Sequence, residues 1–195
     1  MSLSIRASSC GCSHRDERAW PLRVRSVLET VIAAPPALVF ALVHDPERWP
    51  RLLPHYAGAR VVNVAADDVR TIEFVARRPL IDVLGLGFPV AWRSRTWSDA
   101  DALTVRFRHA GGVTDGMDVT WRIQPARGGC RVSIEHDFDR WPEVYPRLVN
   151  RLFIRPIAGR TLATFKALAE TLAEIEGRDR GDRESTFAPA TNLPT

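Results

Sequence analysis

The order of periodicities along these 195 residues predicts an α+β fold. The expected architecture is a curved antiparallel sheet of about seven strands around a long C-terminal helix, with two short helices after the first strand. Three observations carry this. From Ala59 onward the sequence alternates with period two in six segments, the mark of strands with one buried face. Short polar turns such as Ala66-Asp67-Asp68, Asp99-Ala100-Asp101 and Arg127-Gly128-Gly129 separate most of those segments, as hairpins require. Beyond Pro142 the period changes, and Ile157, Phe165, Leu168, Leu172 and Ile175 fall on one helical face. An antiparallel sheet with one apolar face must cover it, and only this last helix is long enough to do so.

The elements follow in order. Leu22 to Ile32 alternates imperfectly as a strand and is ended by Ala33-Ala34-Pro35-Pro36, where a proline-started helix begins. That helix, Ala37 to Val43, presents Leu38, Val39, Leu42 and Val43 on one side. The next segment, His44-Asp45-Pro46-Glu47-Arg48-Trp49-Pro50, reads as a second short helix. Asp45 is placed to cap it, Pro46 suits its first position, Glu47 complements the helix dipole, and Pro50 stops it. Tyr56 follows six residues later. The strand segments are Arg60 to Val64, Arg70 to Arg77, Val90 to Ser98, Leu103 to His109, Met117 to Gln124 and Arg131 to Phe138. Pro146 and Pro156 predict a break or kink near the start of the last helix. Residues 1–20 and 177–195 lack periodicity and read as a disordered leader and tail, leaving one folded domain over 21–176.

Composition narrows the function. The net charge is +4, carried by 26 Arg and one Lys, a skew that genome composition explains as readily as phosphate recognition. No window approaches the roughly 20 apolar residues that cross a bilayer, and no apolar signal segment opens the chain, so a cytoplasmic protein is expected. Cys10 and Cys12 lie in the leader and Cys130 in a strand, and the histidines at 14, 44, 55, 109 and 136 have no ligand spacing, so no metal is expected. Gly85 and Gly87 lack the third glycine of a dinucleotide fingerprint, and no cofactor is expected. Nucleophile-elbow and paired-carboxylate patterns are absent. Arg140, Arg147, Arg151, Arg155 and Arg160 cluster around the start of the last helix, either as a solvated face or as a surface for an acidic carrier protein or anionic lipid. No recognition motif or stacking platform accompanies them, and nucleic acid is not expected.

Strand parity selects candidate side chains. Val132, Ile134, His136 and Phe138 share a face, which turns His136 inward as a core residue or a catalyst. Ala91, Arg93, Arg95 and Trp97 share one face of their strand and Val90, Trp92, Ser94 and Thr96 the other, and composition does not decide which is buried. The apolar segment Pro79 to Val90 reads as a cavity lid, a membrane contact or a strand extension.

Over about Val24 to Ala173 the sequence resembles the START/Bet v 1-like helix-grip superfamily (SRPBCC), in its polyketide cyclase/dehydrase branch. The resemblance rests on Ala33-Ala34-Pro35, Asp45 to Pro50 with Tyr56, Trp92-Arg93-Ser94-Arg95, Met117-Asp118-Val119-Thr120-Trp121 and His136-Asp137-Phe138, in that order. It implies a cavity between sheet and helix. In the aromatase/cyclases that this sequence resembles, an arginine matching Arg95 enters the pocket with a tyrosine matching Tyr56 and a tryptophan matching Trp49. Two departures stand out: Ala91 replaces an expected pocket aromatic, with Trp92 one position on, and His136 replaces a typical glutamine.

The resemblance therefore implies a cyclase that folds a polyketide-type ligand, promotes aldol closure and assists dehydration. Arg95 would stabilise negative charge, Tyr56 and His136 would move protons, and Trp49, Trp92, Phe74, Met117 and Trp121 would line the ligand site. An acyl carrier protein is the partner implied. The related coenzyme Q-binding branch implies instead a non-catalytic carrier of a lipid or quinone, and peripheral membrane contact remains one reading of the apolar segment Pro79 to Val90. A ribosome-associated START-like regulator is a third reading.

Overall fold

A computed structural model describes residues 24–65, 67–81, 86–111, 114–138 and 148–186. Seven strands form one antiparallel sheet: β1 (Val24–Ile32), β2 (Tyr56–Val64), β3 (Arg70–Ile81), β4 (Leu86–Asp99), β5 (Thr104–Ala110), β6 (Asp118–Ala126) and β7 (Gly129–Phe138). Their order across the sheet is β1-β7-β6-β5-β4-β3-β2, so β2 to β7 run as consecutive hairpins and β1 closes onto β7. The helices α1 (Pro36–Val43) and α2 (Trp49–Leu52) lie between β1 and β2, with a 3-10 turn, Pro46–Arg48, joining them. The long helix α3 (Arg155–Thr186) covers the concave face. This is the helix-grip α+β fold that the periodicities predict.

One apolar face per strand builds the core. Ile72, Phe74 and Ala76 of β3, Val105 and Phe107 of β5, Val119, Trp121 and Ile123 of β6, and Val132, Ile134 and Phe138 of β7 are all buried. From α3, Ile157, Leu162, Phe165 and Ala169 meet them at helical spacing. The end of β1 approaches the β6–β7 hairpin closely enough to demand glycine. Gly129 has φ +155, and a Cβ there would stand 2.1 Å from the Ile32 carbonyl oxygen.

Local expectations and structure part in three places. The carboxylate of Asp45 caps no helix; Arg70, at the start of β3, reaches back and takes it. The Arg70 guanidinium donates to the His44 carbonyl at 3.2 Å and lies 3.5 Å from Asp45 and 3.6 Å from Glu47. Pro50 does not stop a helix either, because it sits in the first turn of α2, where its missing N–H costs nothing. Finally, α3 does not end at Gly177 but continues to Thr186, through part of the segment expected to be a disordered tail. One mid-helix glycine costs only about 1 kcal/mol against alanine, too little to break a helix already nucleated by packing. The leader 1–20, with Cys10 and Cys12, lies outside the described residues, as do 187–195.

The apolar segment after Pro79 extends the β3–β4 hairpin, pairing Pro79 with Gly87 and Ile81 with Leu86. The break expected near Pro146 and Pro156 is a π-helical turn, Asn150–Ile154, directly before α3, whose second residue is Pro156. A widened turn accommodates the carbonyl that a proline ring would otherwise strike.

The Arg70 clamp is testable. Arg70→Ala is expected to cost about 1 kcal/mol, a Tm lowered by about 3 °C in calorimetry. Arg95→Ala, on the same sheet without such partners, should fall within about 0.5 kcal/mol of the parent.

Candidate functional site

Sheet and helix do not close on each other completely. Between them lies a cavity of about 90 Å³ walled by Trp49, Tyr56, Phe74, Trp92, Phe107, Met117, Val119, Trp121, Ile134 and the α3 residues Ile157, Ala158 and Thr161. One water needs about 10–15 Å³ on the same scale, so the chamber has room for several. Among the described residues the wall is mostly aromatic and aliphatic and contains no Lys, Arg, Asp or Glu.

Trp49 organises the aromatic part. Its indole N–H donates to the Val43 carbonyl at 3.3 Å, which ties it to the end of α1. Its ring centroid lies 5.2 Å from Tyr56, 5.7 Å from Phe107 and from Phe165, and 6.0 Å from Trp121. The crossings are tilted or edge-on, the arrangement that ring quadrupoles favour. A second series stacks nearly parallel: Phe74 on Trp92 at 5.2 Å, and Trp92 on His109 at 5.9 Å.

The polar groups fall into two clusters. In the first, the Thr161 hydroxyl donates to the Ile157 carbonyl at 2.8 Å and so accepts from Nε2 of His55 at 2.9 Å. The Tyr56 hydroxyl belongs here too. Burial raises its pKa above the ordinary phenol value while a hydrogen bond with Thr161 works the other way, so it stays protonated and available as a donor. His55 is pushed down to about 4 by burial and by the nearby Arg160, against a hydrogen bond to the Ile157 backbone.

In the second cluster, Nδ1 of His109 and the Thr114 hydroxyl share a hydrogen bond of 2.7 Å, and His136 stands close by. Burial pushes His109 down to about 3, with His136 adding to the effect. His136 is lowered to about 4, again by burial, with a hydrogen bond to the Ser26 backbone opposing. Nδ1 of His136 is buried without a hydrogen-bond partner. Both rings are neutral near pH 7, and each offers one donor and one acceptor nitrogen.

Of the residues singled out in the sequence, Trp49, Tyr56, Phe74, Trp92, Met117, Trp121 and His136 meet around this one chamber. Arg95 does not. It is exposed on the convex face, while Trp92, Ser94 and Thr96 of the same strand turn inward. Stacking of Trp92 between Phe74 and His109 fixes that parity, and a guanidinium on the opposite face is left in water. The role of charge stabiliser inside the pocket therefore does not fall to Arg95. Three polar wall residues were not singled out from the sequence: His109, Thr114 and Thr161. Parity would have found His109, which shares its face with Val105 and Phe107; the threonines sit in a turn and on a helix and carry no such signal. Arg151 and Arg155 are exposed, whereas Arg140 and Arg147 lie outside the described residues.

The geometry joins a helix-grip shell to an aromatic chamber, and comparison with known proteins assigns it. Residues 23–174 match the family described as polyketide cyclase / dehydrase and lipid transport. The chain belongs to that family. Among polyketide cyclase/dehydrase relatives, a Streptomyces cyaneus protein named "putative polyketide cyclase" is 31% identical over 116 residues, 59% of this chain and 72% of that protein. A Streptomyces halstedii protein of the same name is 36% identical over 94 residues, 48% of this chain and 81% of that one. The Zhui aromatase/cyclase from Streptomyces sp. R1128 superposes with a TM-score of 0.62 at 14% identity, covering 76% of this chain and 94% of that one. A START superfamily protein from Mycobacterium smegmatis gives 0.53 at 17% identity, covering 78% and 97%. At those identities the likeness is one of fold. Among the described residues no helix is long and apolar enough to cross a membrane.

Proposed function

We propose that this polyketide cyclase/dehydrase family member takes an apolar, oxygenated polyketide-type ligand into the chamber and promotes aldol ring closure followed by loss of water. The observation that carries this reading is the chamber itself: aromatic walls with Tyr56 and His136 among the few polar groups in them. Flat rings suit the stacked and tilted walls, and exclusion of water strengthens each polar contact made inside. A neutral imidazole accepts a proton from an activated methylene between two ketones. The resulting carbanion forms the new carbon–carbon bond to a second carbonyl, and the Tyr56 phenol supplies the proton that makes the alkoxide a hydroxyl. Loss of that hydroxyl with a neighbouring hydrogen gives water and the double bond. No dissociable cofactor enters. An acyl carrier protein is the natural donor of such a chain.

The uncharged character of the described wall residues favours a second reading, a carrier for a lipid or quinone that binds without turnover. Tyr56→Phe separates the two. Supplied with a linear poly-β-ketone made in situ by a minimal synthase, the parent is expected to shift the products from spontaneous to directed cyclisation, as read by mass spectrometry. Tyr56→Phe should lower that directed rate by about 10² while ligand still co-purifies. Identical product distributions with and without the parent protein would leave only the carrier.

A further inference from the structure

The second polar cluster has a chemistry of its own. His109 comes from the end of β5, Thr114 from the turn that follows and His136 from β7. All three line the chamber beside Trp92. Among the described residues of the wall there is no cation that could balance a negative ligand. The 2.7 Å bond to Thr114 occupies only Nδ1 of His109. Nδ1 of His136 is left unpartnered, although a buried polar atom ordinarily finds a hydrogen bond.

We propose that His109, Thr114 and His136 form an oxygen-reading pole of the chamber that selects a ring-borne ketone or hydroxyl, an uncharged oxygen, over a carboxylate. The selection follows from what the pole offers and what it lacks. Neutral imidazoles and one hydroxyl can give or take a hydrogen bond, so they satisfy a ketone, an enol or a phenol equally. A carboxylate brought to the same place would lose its hydration with no opposite charge to replace it. The stack of Phe74, Trp92 and His109 adds a geometric condition, because the ring that carries the oxygen must lie alongside three nearly parallel planes. This inference rests on the chamber being a ligand site, as the function above supposes, and it specifies which end of the ligand is held and by what.

Three probes of one shape test it: naphthalene, 2-naphthol and 2-naphthoate, titrated against the purified full chain by calorimetry. One added hydrogen bond in a dry site predicts that 2-naphthol binds about tenfold more tightly than naphthalene. 2-Naphthoate should bind no better than naphthalene. His109→Phe keeps a ring on Trp92 and removes two of the pole's nitrogens, and should lower the naphthol-to-naphthalene ratio several-fold. Thr114→Val, of the same shape, should lower the ratio in the same direction and stands in if His109→Phe fails to fold. A tenfold ratio that survives both substitutions, or preferential binding of 2-naphthoate, overturns the pole while leaving the ligand chamber in place. Failure of all three probes to bind the parent overturns the chamber reading and the pole together.

Discussion

Moved from pH 7 to pH 4, the protein is expected to lose on the order of 5 kcal/mol of folding stability from His109 and His136 alone. Burial holds their folded-state values at about 3 and about 4, below the ordinary 6.5. As pH falls through 6.5 the unfolded chain takes up protons that the folded chain refuses. The unfolded state binds more protons throughout this window, so stability decreases with acid and levels off near the folded values. His55, lowered to about 4, acts in the same direction. Guanidinium unfolding at pH 7.0, 5.5 and 4.5 measures this, and the midpoint should fall at each step. His109→Phe should flatten the dependence, since it removes the most strongly displaced of these groups. A midpoint unchanged down to pH 4.5 would contradict imidazoles held neutral by the folded chain.

Trp49→Ala is expected to cost about 4 kcal/mol. The indole is 3% exposed and is in ring contact with Tyr56, Phe74, Phe107, Trp121 and Phe165, so truncation strips one partner from five aromatic pairs at once. The Val43 carbonyl also loses its donor. These losses exceed the transfer energy of an isolated side chain because the neighbours come from β2, β3, β5, β6 and α3, which cannot all move inward to fill the gap. Urea denaturation should show the midpoint lowered with an unchanged slope. Trp49→Phe, which keeps a ring and loses the hydrogen bond, should recover more than half of the difference. The enlarged chamber of Trp49→Ala should also favour a three-ring probe such as anthracene over naphthalene relative to the parent.

The fold was legible because strand and helix periods are local properties. Period-two text from Ala59 and helical spacing from Ile157 to Ile175 place the sheet and its covering helix without knowledge of contacts. What local text could not show was decided at long range. The Asp45 carboxylate is a good cap by its neighbours, yet Arg70, 25 residues away in sequence, claims it. Gly177 marks a stop by its own propensity, but α3 is already nucleated on the sheet, and the Glu174–Arg178 pair at i,i+4 supports its continuation. Within the site, parity found His136 because its strand has one plainly apolar face. Strand β4 has large residues on both faces, so only the rings that Trp92 stacks between, Phe74 and His109, decide that Trp92 goes in and Arg95 goes out. His109 is equally readable from its parity with Val105 and Phe107, although its spacing from the other histidines carries no signal.

The outward arginine of β4 is one step from a different chemistry. Side chains on a strand alternate with a period of two, so a single residue inserted between Trp92 and Arg95 would keep the indole where it is and carry the guanidinium across to the concave side. The concave side, whose described wall residues are uncharged, would then carry a cation, the complement of an anionic guest. In a strand buried on one face, the length of an insertion, more than the identity of the inserted residue, thus decides which side chains reach the interior.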